Sequence, residues 1–311
     1  MKKISVVTPC FNEEANVEAL YLRVKEIFQK PGSYEYEHLF IDNASTDGTQ
    51  AILKKLAAAD VNLKLIINTR NFGHIRSPYY AITQSDGDAV VHLLADFQDP
   101  PELIADFLRH WEAGYKVVLG IKTNSGESGL MFAVRKLYYN LVDNLSDVRI
   151  NKNNNGFGLY DREVVSQLKK LDEPYPFFRG LVSELGYEAA KVEYFQAARQ
   201  RGITKNNFYT LYDIGMLGII NHSKVPLRLA IFAGAALAAI NLAVASGYFV
   251  YKIVYWDSFS VGIAPAVIGL FFFSSVQLIF LGVIGEYIGA IYTQTLKRPL
   301  VIEKERINFK N

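Results

Sequence analysis

The chain has 311 residues, half of them hydrophobic, with 33 Lys and Arg against 31 Asp and Glu and a formal net charge of +2. That length allows one large domain or two smaller ones, and near-neutrality without a long basic block gives no case for a nucleic-acid partner. The single cysteine, Cys10, excludes an intramolecular disulfide framework and suits a reducing compartment.

Met1-Lys2-Lys3 leads straight into a β-branched strand at residues 4–8, with no apolar stretch of the secretory kind. Val17, Leu20, Tyr21, Val24, Ile27 and Phe28 then recur at helical spacing, and Pro31-Gly32 is expected to end that helix. Residues 38–41 read as a second strand. Ser45 or Thr46 is expected to cap a helix carrying Ile52, Leu53 and Leu56. Further strands are expected at 63–67, 89–94 and 116–120, with a helix at 103–111 after Pro101. Residues 122–128 are polar and glycine-bearing and read as a mobile loop, and 132–145 returns to helical spacing. Strands alternating with helices predict a mainly parallel sheet covered on both faces.

The composition changes near Pro226. Residues 229–251 and 258–285 carry no charge, and each is long enough for a bilayer core, which takes roughly 20 helical residues. The short separator predicts a helical hairpin, with Tyr248, Tyr251, Tyr255 and Trp256 at its far turn, where an aromatic belt would sit. Lys224 and Arg228 precede the first span; Lys297, Arg298, Lys304 and Arg306 follow the second. The positive-inside tendency then puts both flanks in the cytoplasm. The expected organisation is a catalytic domain at 1–205, an interfacial amphipathic helix or linker at 206–225, two transmembrane helices within 226–289, and a cytoplasmic tail at 290–311.

Three polar clusters follow strands: Thr8-Pro9-Cys10-Phe11-Asn12-Glu13-Glu14, Asp42-Asn43-Ala44-Ser45-Thr46-Asp47-Gly48-Thr49, and Ala95-Asp96-Phe97-Gln98-Asp99-Pro100-Pro101-Glu102. Ligands of open α/β sheets bind beyond the carboxyl ends of the strands, so three such clusters describe one cleft. Asp96 and Gln98 offer a carboxylate and an amide oxygen two residues apart, the oxygen ligands that a hard cation takes while keeping positions open for phosphate. The cleft reads as a sugar-nucleotide site.

With Arg70-Asn71-Phe72-Gly73, Gly156-Phe157-Gly158-Leu159-Tyr160-Asp161-Arg162, Arg199-Gln200-Arg201-Gly202-Ile203-Thr204-Lys205, Gly285-Glu286-Tyr287-Ile288-Gly289 and Arg298-Pro299-Leu300, these clusters span almost the whole chain. Together they resemble the GT-A-fold, family 2 glycosyltransferases that load a sugar onto a polyprenyl phosphate, such as dolichyl-phosphate mannose synthases and bacterial undecaprenyl-phosphate glucosyltransferases. The resemblance implies a Rossmann-like GT-A domain followed by a transmembrane hairpin, and an inverting transfer from a UDP- or GDP-hexose to undecaprenyl or dolichyl phosphate. It implies that Pro9, Phe11, Glu13, Asp42 and Asn43 hold the nucleoside, and that the backbone of Ala95 approaches the ribose and diphosphate. Asp96 and Gln98 would bind Mg²⁺ or Mn²⁺. Lys122, Arg135, Arg199 and Lys205 would grip the lipid phosphate and the leaving diphosphate, with Asp96, Arg135 and Arg199 in catalytic roles. A homo-oligomer in the inner or plasma membrane, with the catalytic domain in the cytoplasm, is implied as well.

The chain departs from the family pattern at four positions, one of them Lys122, which stands where the family usually has an arginine. Leu94 and Gly156 stand where relatives often carry aspartate, and Asn43 stands where a base-reading aspartate is common. Asp161 is expected to make a structural hydrogen bond. A processive synthase would carry Gln-x-x-Arg-Trp after the catalytic domain; here Gln196-Ala197-Ala198-Arg199 is followed by Gln200.

Overall fold

The computed structural model describes residues 1–29, 34–123, 153–196, 225–255 and 263–309. Eight strands form one sheet: β1 (Lys2–Cys10), β2 (Tyr34–Asp42), β3 (Leu63–Asn68), β4 (Ala89–His92), β5 (Val117–Lys122), β6 (Gly158–Asp161), β7 (Ala189–Tyr194) and β8 (Glu303–Ile307). Their spatial order is β7-β5-β6-β4-β1-β2-β3-β8. β1 pairs in parallel with both β2 and β4, and β2 with β3. β6 and β8 run antiparallel to their neighbours, and β5 pairs in parallel with β7.

Alternation along β1 builds the two layers that cover the sheet. Val6 faces α1 (Val17–Gln29), α2 (Thr49–Ala59) and α4 (Ile104–Glu112), packing with Leu20, Leu53 and Phe107. Val7 belongs to the opposite cluster, with Tyr79 and Ile82 of α3 (Gly73–Gln84), Leu168 of α5 (Arg162–Lys170) and Leu181 of α6 (Phe178–Glu184). This is the mainly parallel α/β domain the sequence predicts.

Several local expectations change. Neither Ser45 nor Thr46 caps α2: Gly48 precedes it, and Asp47 Oδ1 takes the Thr49 backbone N–H at 3.0 Å and the Thr49 hydroxyl at 2.6 Å. One oxygen of Asp47, just ahead of Gly48, serves both Thr49 donors, while the Ser45 hydroxyl is taken by the Asn12 N–H. β4 stops at His92, so Leu93 and Leu94 begin the following turn. Lys122 ends β5 and is no part of a loop. The expected helix end at Pro31-Gly32, the 132–145 helix and the interfacial helix fall outside the described residues.

α7 (Val225–Val254) and α8 (Ile263–Thr295) are the two long apolar helices, and neither buries its apolar window against the rest of the chain. Among the described residues they do not pack as the core helices of a soluble domain would, and they suit membrane anchoring. α8 runs ten residues past the predicted end of the second span, and Gln294 Nε2 donates to both carboxylate oxygens of Glu173 at 3.0 and 3.2 Å. The C-terminal segment is more than a tail. It returns as β8 against β3, and the Asn308 side chain donates to the carbonyls of Ala57, Asp60 and Leu63.

At the amino ends of the parallel strands, Glu37 is almost wholly buried and paired with Lys3 and Lys64; Lys64 also reaches Asp86 at 2.9 Å. Its Oε1 accepts from Ser5 Oγ at 2.6 Å and from the Asp86 backbone N–H at 3.0 Å. Burial alone would raise the Glu37 carboxyl, but these donors outweigh it and hold the pKa at about 2. The contribution to stability is therefore complete above the ordinary value near 4.5 and is lost as pH falls toward 2, about 3 kcal/mol in all. Urea unfolding in detergent should show Glu37→Gln less stable by roughly 2–4 kcal/mol at neutral pH. The gap should roughly halve by about pH 3 and close only near pH 2 and below, and a pH-independent gap would count against the ion pairs as its cause.

Candidate active site

The parallel strands deliver Cys10, Asp42, Asn68 and His92 to one edge of the sheet, and Lys122 and Tyr194 end β5 and β7 on the same side. Each of the three loops predicted to line the cleft turns through a non-glycine residue of positive φ: Asn12 (57°), Ala44 (62°) and Phe97 (56°). Such backbone is uncommon outside glycine and persists where surrounding structure over-determines it, often at functional sites.

The first two loops are stitched together. The Asn12 N–H donates to Ser45 Oγ at 2.8 Å, while Asn12 Oδ1 accepts the Thr46 N–H at 2.8 Å. The Glu13 N–H donates to Thr49 Oγ1 at 2.9 Å, and Glu14 Oε2 accepts the Gly48 N–H at 2.7 Å. Pro9, Phe11 and Glu13 lie half-buried along this seam. Asp42 is fully buried, with Oδ2 taking the Ser45 N–H at 3.0 Å and Gln50 Nε2 at 2.7 Å. Burial pushes its pKa up, against these hydrogen bonds.

Asn43 is committed on all sides. Its Nδ2 donates to Asn71 Oδ1 at 2.8 Å and Gly73 O at 3.2 Å; its Oδ1 accepts Asn68 Nδ2 at 3.1 Å and the Phe72 N–H at 2.9 Å. One side chain thereby fixes the 68–73 turn that starts α3, which explains why Arg70-Asn71-Phe72-Gly73 belongs to the same cleft.

Beyond β4, Ala95 is buried while Asp96 and Gln98 are half-buried, and Asp96 Oδ1 accepts the Gln98 N–H at 3.3 Å. The carboxylate and the Gln98 amide oxygen suit a hard divalent cation. Among the described residues no group of three or more His, Cys, Asp or Glu gathers for a metal. Protein would thus fill only part of the coordination shell, as suits a cation shared with substrate phosphates and water. Asp99, one residue on, is fully buried; sequence reasoning passed over it, although an aspartate before Pro100-Pro101 at a strand end was its signal.

Gly156 has a physical reason to be glycine. Its φ is +98°, and a Cβ there would stand 3.4 Å from His92 Nδ1 and 3.6 Å from Phe178. Its carbonyl accepts from Tyr160 OH at 2.8 Å and meets His92 Nδ1 at 3.1 Å. Burial drives the His92 pKa down to about 4, so the ring is neutral. With Nδ1–H donating to that carbonyl, Nε2 carries the lone pair. Asp161 is at the opposite edge, where it accepts from Trp111 Nε1 at 2.7 Å and from the Glu163 N–H at 2.8 Å, the structural role expected of it. Leu94 is half-buried, and nothing in the structure explains it. Arg135, Arg199 and Lys205 lie outside the described residues.

A mainly parallel sheet with stitched nucleotide-type loops at the carboxyl ends of its strands defines a GT-A-type glycosyltransferase domain. The glycosyl transferase family 2 model matches residues 5–169, and the chain belongs to that family. It is 35% identical over 303 residues to a bactoprenol glucosyl transferase of Shigella phage SfV, covering 97% of this chain and 98% of that protein. It is 34% identical to an uncharacterized glycosyltransferase, YkcC, of Bacillus subtilis, covering 99% and 95% respectively. Among solved structures, a mannosyltransferase from Pyrobaculum calidifontis in complex with GDP-Man and Mn²⁺ aligns over 95% of this chain and 87% of its own, at 16% identity and a TM-score of 0.47.

The Asn43 web yields a direct test. Asn43→Asp would set a carboxylate against Gly73 O, removing a donor and adding repulsion. We expect a loss of roughly 1–3 kcal/mol in denaturant unfolding and weaker nucleotide binding by calorimetry. Unchanged stability would mean that the 68–73 turn does not depend on this amide.

Proposed function

We propose that the protein is a membrane-bound, inverting glycosyltransferase that moves a hexose from a UDP- or GDP-sugar to a polyprenyl phosphate, undecaprenyl or dolichyl, giving a lipid-linked sugar. One observation carries the reading: a glycosyltransferase domain whose cleft loops follow the carboxyl ends of its strands is joined, at both ends of an apolar helical pair, to the same sheet. An acceptor that is half lipid and half phosphate calls for that combination.

In this reading Pro9, Phe11, Glu13, Asp42 and Asn43 hold the nucleoside, Asn43 acting through the turn it fixes, and the Ala95 backbone lies against ribose and diphosphate. Asp96 and Gln98 would hold Mg²⁺ or Mn²⁺. The cation would supply positive charge to the leaving diphosphate. Lys122, Arg135, Arg199 and Lys205 would bring two anions together, the arginines with the bidentate geometry that phosphate favours. A phosphate monoester already carries about −1.5 to −2 charges near neutral pH, so the acceptor needs positioning more than a strong base. Attack on the anomeric carbon opposite the leaving group inverts its configuration.

The pairing of β8 with β3 supports placing catalytic domain and C-terminal segment on one membrane face, which the flanking basic residues make the cytoplasmic face of the inner or plasma membrane. The exposed apolar faces of α7 and α8 leave room for lipid and for further copies in a homo-oligomer.

The test is transfer of labelled sugar to undecaprenyl or dolichyl phosphate by purified protein, with a panel of UDP- and GDP-sugars. One donor is expected to give an acid-labile glycolipid, with EDTA abolishing transfer and Asp96→Ala reducing it by about 100-fold or more, the scale of losing one transition-state charge stabiliser. No donor consumed, with nucleotide still bound, would replace this reading with a non-catalytic binding subunit.

A further inference from the structure

Asp99 stands out among the carboxylates of the described residues. Its exposure is 0%, it forms no ion pair with any described lysine or arginine, and its two oxygens are met by two neutral donors. Tyr194 OH donates to Oδ1, and Asn155 Nδ2 donates to Oδ2 at 2.8 Å. A buried carboxylate is costly unless well satisfied, so this one is held for a reason.

The donors come from two distant parts of the chain. Tyr194 ends β7; its ring sits edge-on to Phe157 at 5.6 Å, and a Cβ at Gly120 would stand 2.8 Å from the Phe157 ring and 3.1 Å from the Tyr194 ring. Its carbonyl takes the Thr123 N–H at 3.0 Å, and the adjacent Lys122 N–H donates to Asn153 O at 3.1 Å. Asn155 Oδ1 accepts the Phe157 N–H at 3.1 Å, and Asn154 Nδ2 donates to the carbonyls of Gly120 and Phe157 at 2.9 and 3.2 Å. The whole assembly is the end of the β5–β6–β7 part of the sheet, and Asp99 is what the 95–99 loop inserts into it. The same loop carries the positive φ of Phe97, between Asp96 and Gln98, a conformation that must be fixed from outside.

We infer that Asp99 is a positioning residue: clamped by Tyr194 and Asn155, it sets the placement of Asp96 and Gln98 relative to the strand end that carries Lys122. The inference rests on the proposed metal-dependent transfer and names the device that keeps cation ligands and acceptor-side charge in register. Burial and the Asp99 charge both raise the Tyr194 pKa, keeping the phenol a donor.

The test measures Mn²⁺ binding to the full-length protein in detergent by electron paramagnetic resonance, in the presence of UDP or GDP. Nucleotide binding without metal and thermal unfolding are followed in parallel. Tyr194→Phe keeps the ring and deletes one hydrogen bond; Asp99→Asn opposes an amide to Asn155 Nδ2. Each should weaken Mn²⁺ binding about 5- to 20-fold, with metal-free nucleotide binding within about twofold of wild type. Combining Asp99→Asn with Asn155→Asp exchanges donor and acceptor and should recover most of the loss. Unchanged Mn²⁺ affinity overturns the inference, as does a loss that tracks a large fall in thermal stability and metal-free nucleotide binding alike, or an exchange that recovers nothing. Wild type that binds no Mn²⁺ with either nucleotide overturns the metal-dependent reading itself, and this inference with it.

Discussion

Everything at the cleft depends on the parallel pairing of β1 with a strand on each side. Because β2 and β4 both run with β1, Cys10, Asp42 and His92 arrive at one edge, and the chain must turn there three times within a small area. Parallel strands also require long crossovers, which helices covering both sheet faces supply. The core is therefore largely apolar on either side of β1, interrupted by the buried Thr8–His38 pair, and the charged groups gather toward the two ends of the strands. The amino ends carry the Glu37 ion-pair cluster; the carboxyl ends carry the strained loops. Stability and function occupy opposite edges of one sheet.

At the cleft edge, order comes from side chains that satisfy backbone groups the turns leave open. Asn12, Ser45, Thr49 and Glu14 tie the loops after β1 and β2 to each other, and Asn43 ties that pair to the start of α3. Asp99 does the same between the loop after β4 and the far part of the sheet. These contacts cost side-chain entropy, yet at a fully buried group such as the Asp99 carboxylate an unmet oxygen would be destabilising by about 1–3 kcal/mol. A cleft assembled this way is held before any ligand arrives, which lowers the ordering cost of binding.

Much of this was legible in the sequence. Alternating apolar runs and amphipathic segments announced a parallel sheet, and three polar clusters after strands announced the cleft. Uncharged stretches around 229–251 and 258–285 announced the helical pair. What stayed hidden depends on contacts between distant segments. β8 is five residues of alternating charge, Glu303-Lys304-Glu305-Arg306-Ile307, and becomes a strand only because β3 offers an edge. α3 carries Pro78 in its interior and a weak apolar pattern, so periodicity gave it no signal. The role of Asn43 could not be read at all, since an amide open to a ligand and one consumed by a turn look identical in a sequence.

Gly156 shows how such a departure can be physical. A carboxylate at that position would meet His92 and Phe178 only at ordinary contact distance, but its backbone at φ +98° would be strained for any side chain. The carbonyl of Gly156 instead anchors Tyr160 and neutral His92, and the neighbouring Asn155 goes to Asp99. The segment that could have presented a base is thereby turned to fixing the loop that presents Asp96 and Gln98. For the proposed phosphate-monoester acceptor, which would carry about −1.5 to −2 charges near neutral pH, this exchange would lose little. In that reading proton removal is not the barrier; bringing two phosphates together is, and that requires charge held in place.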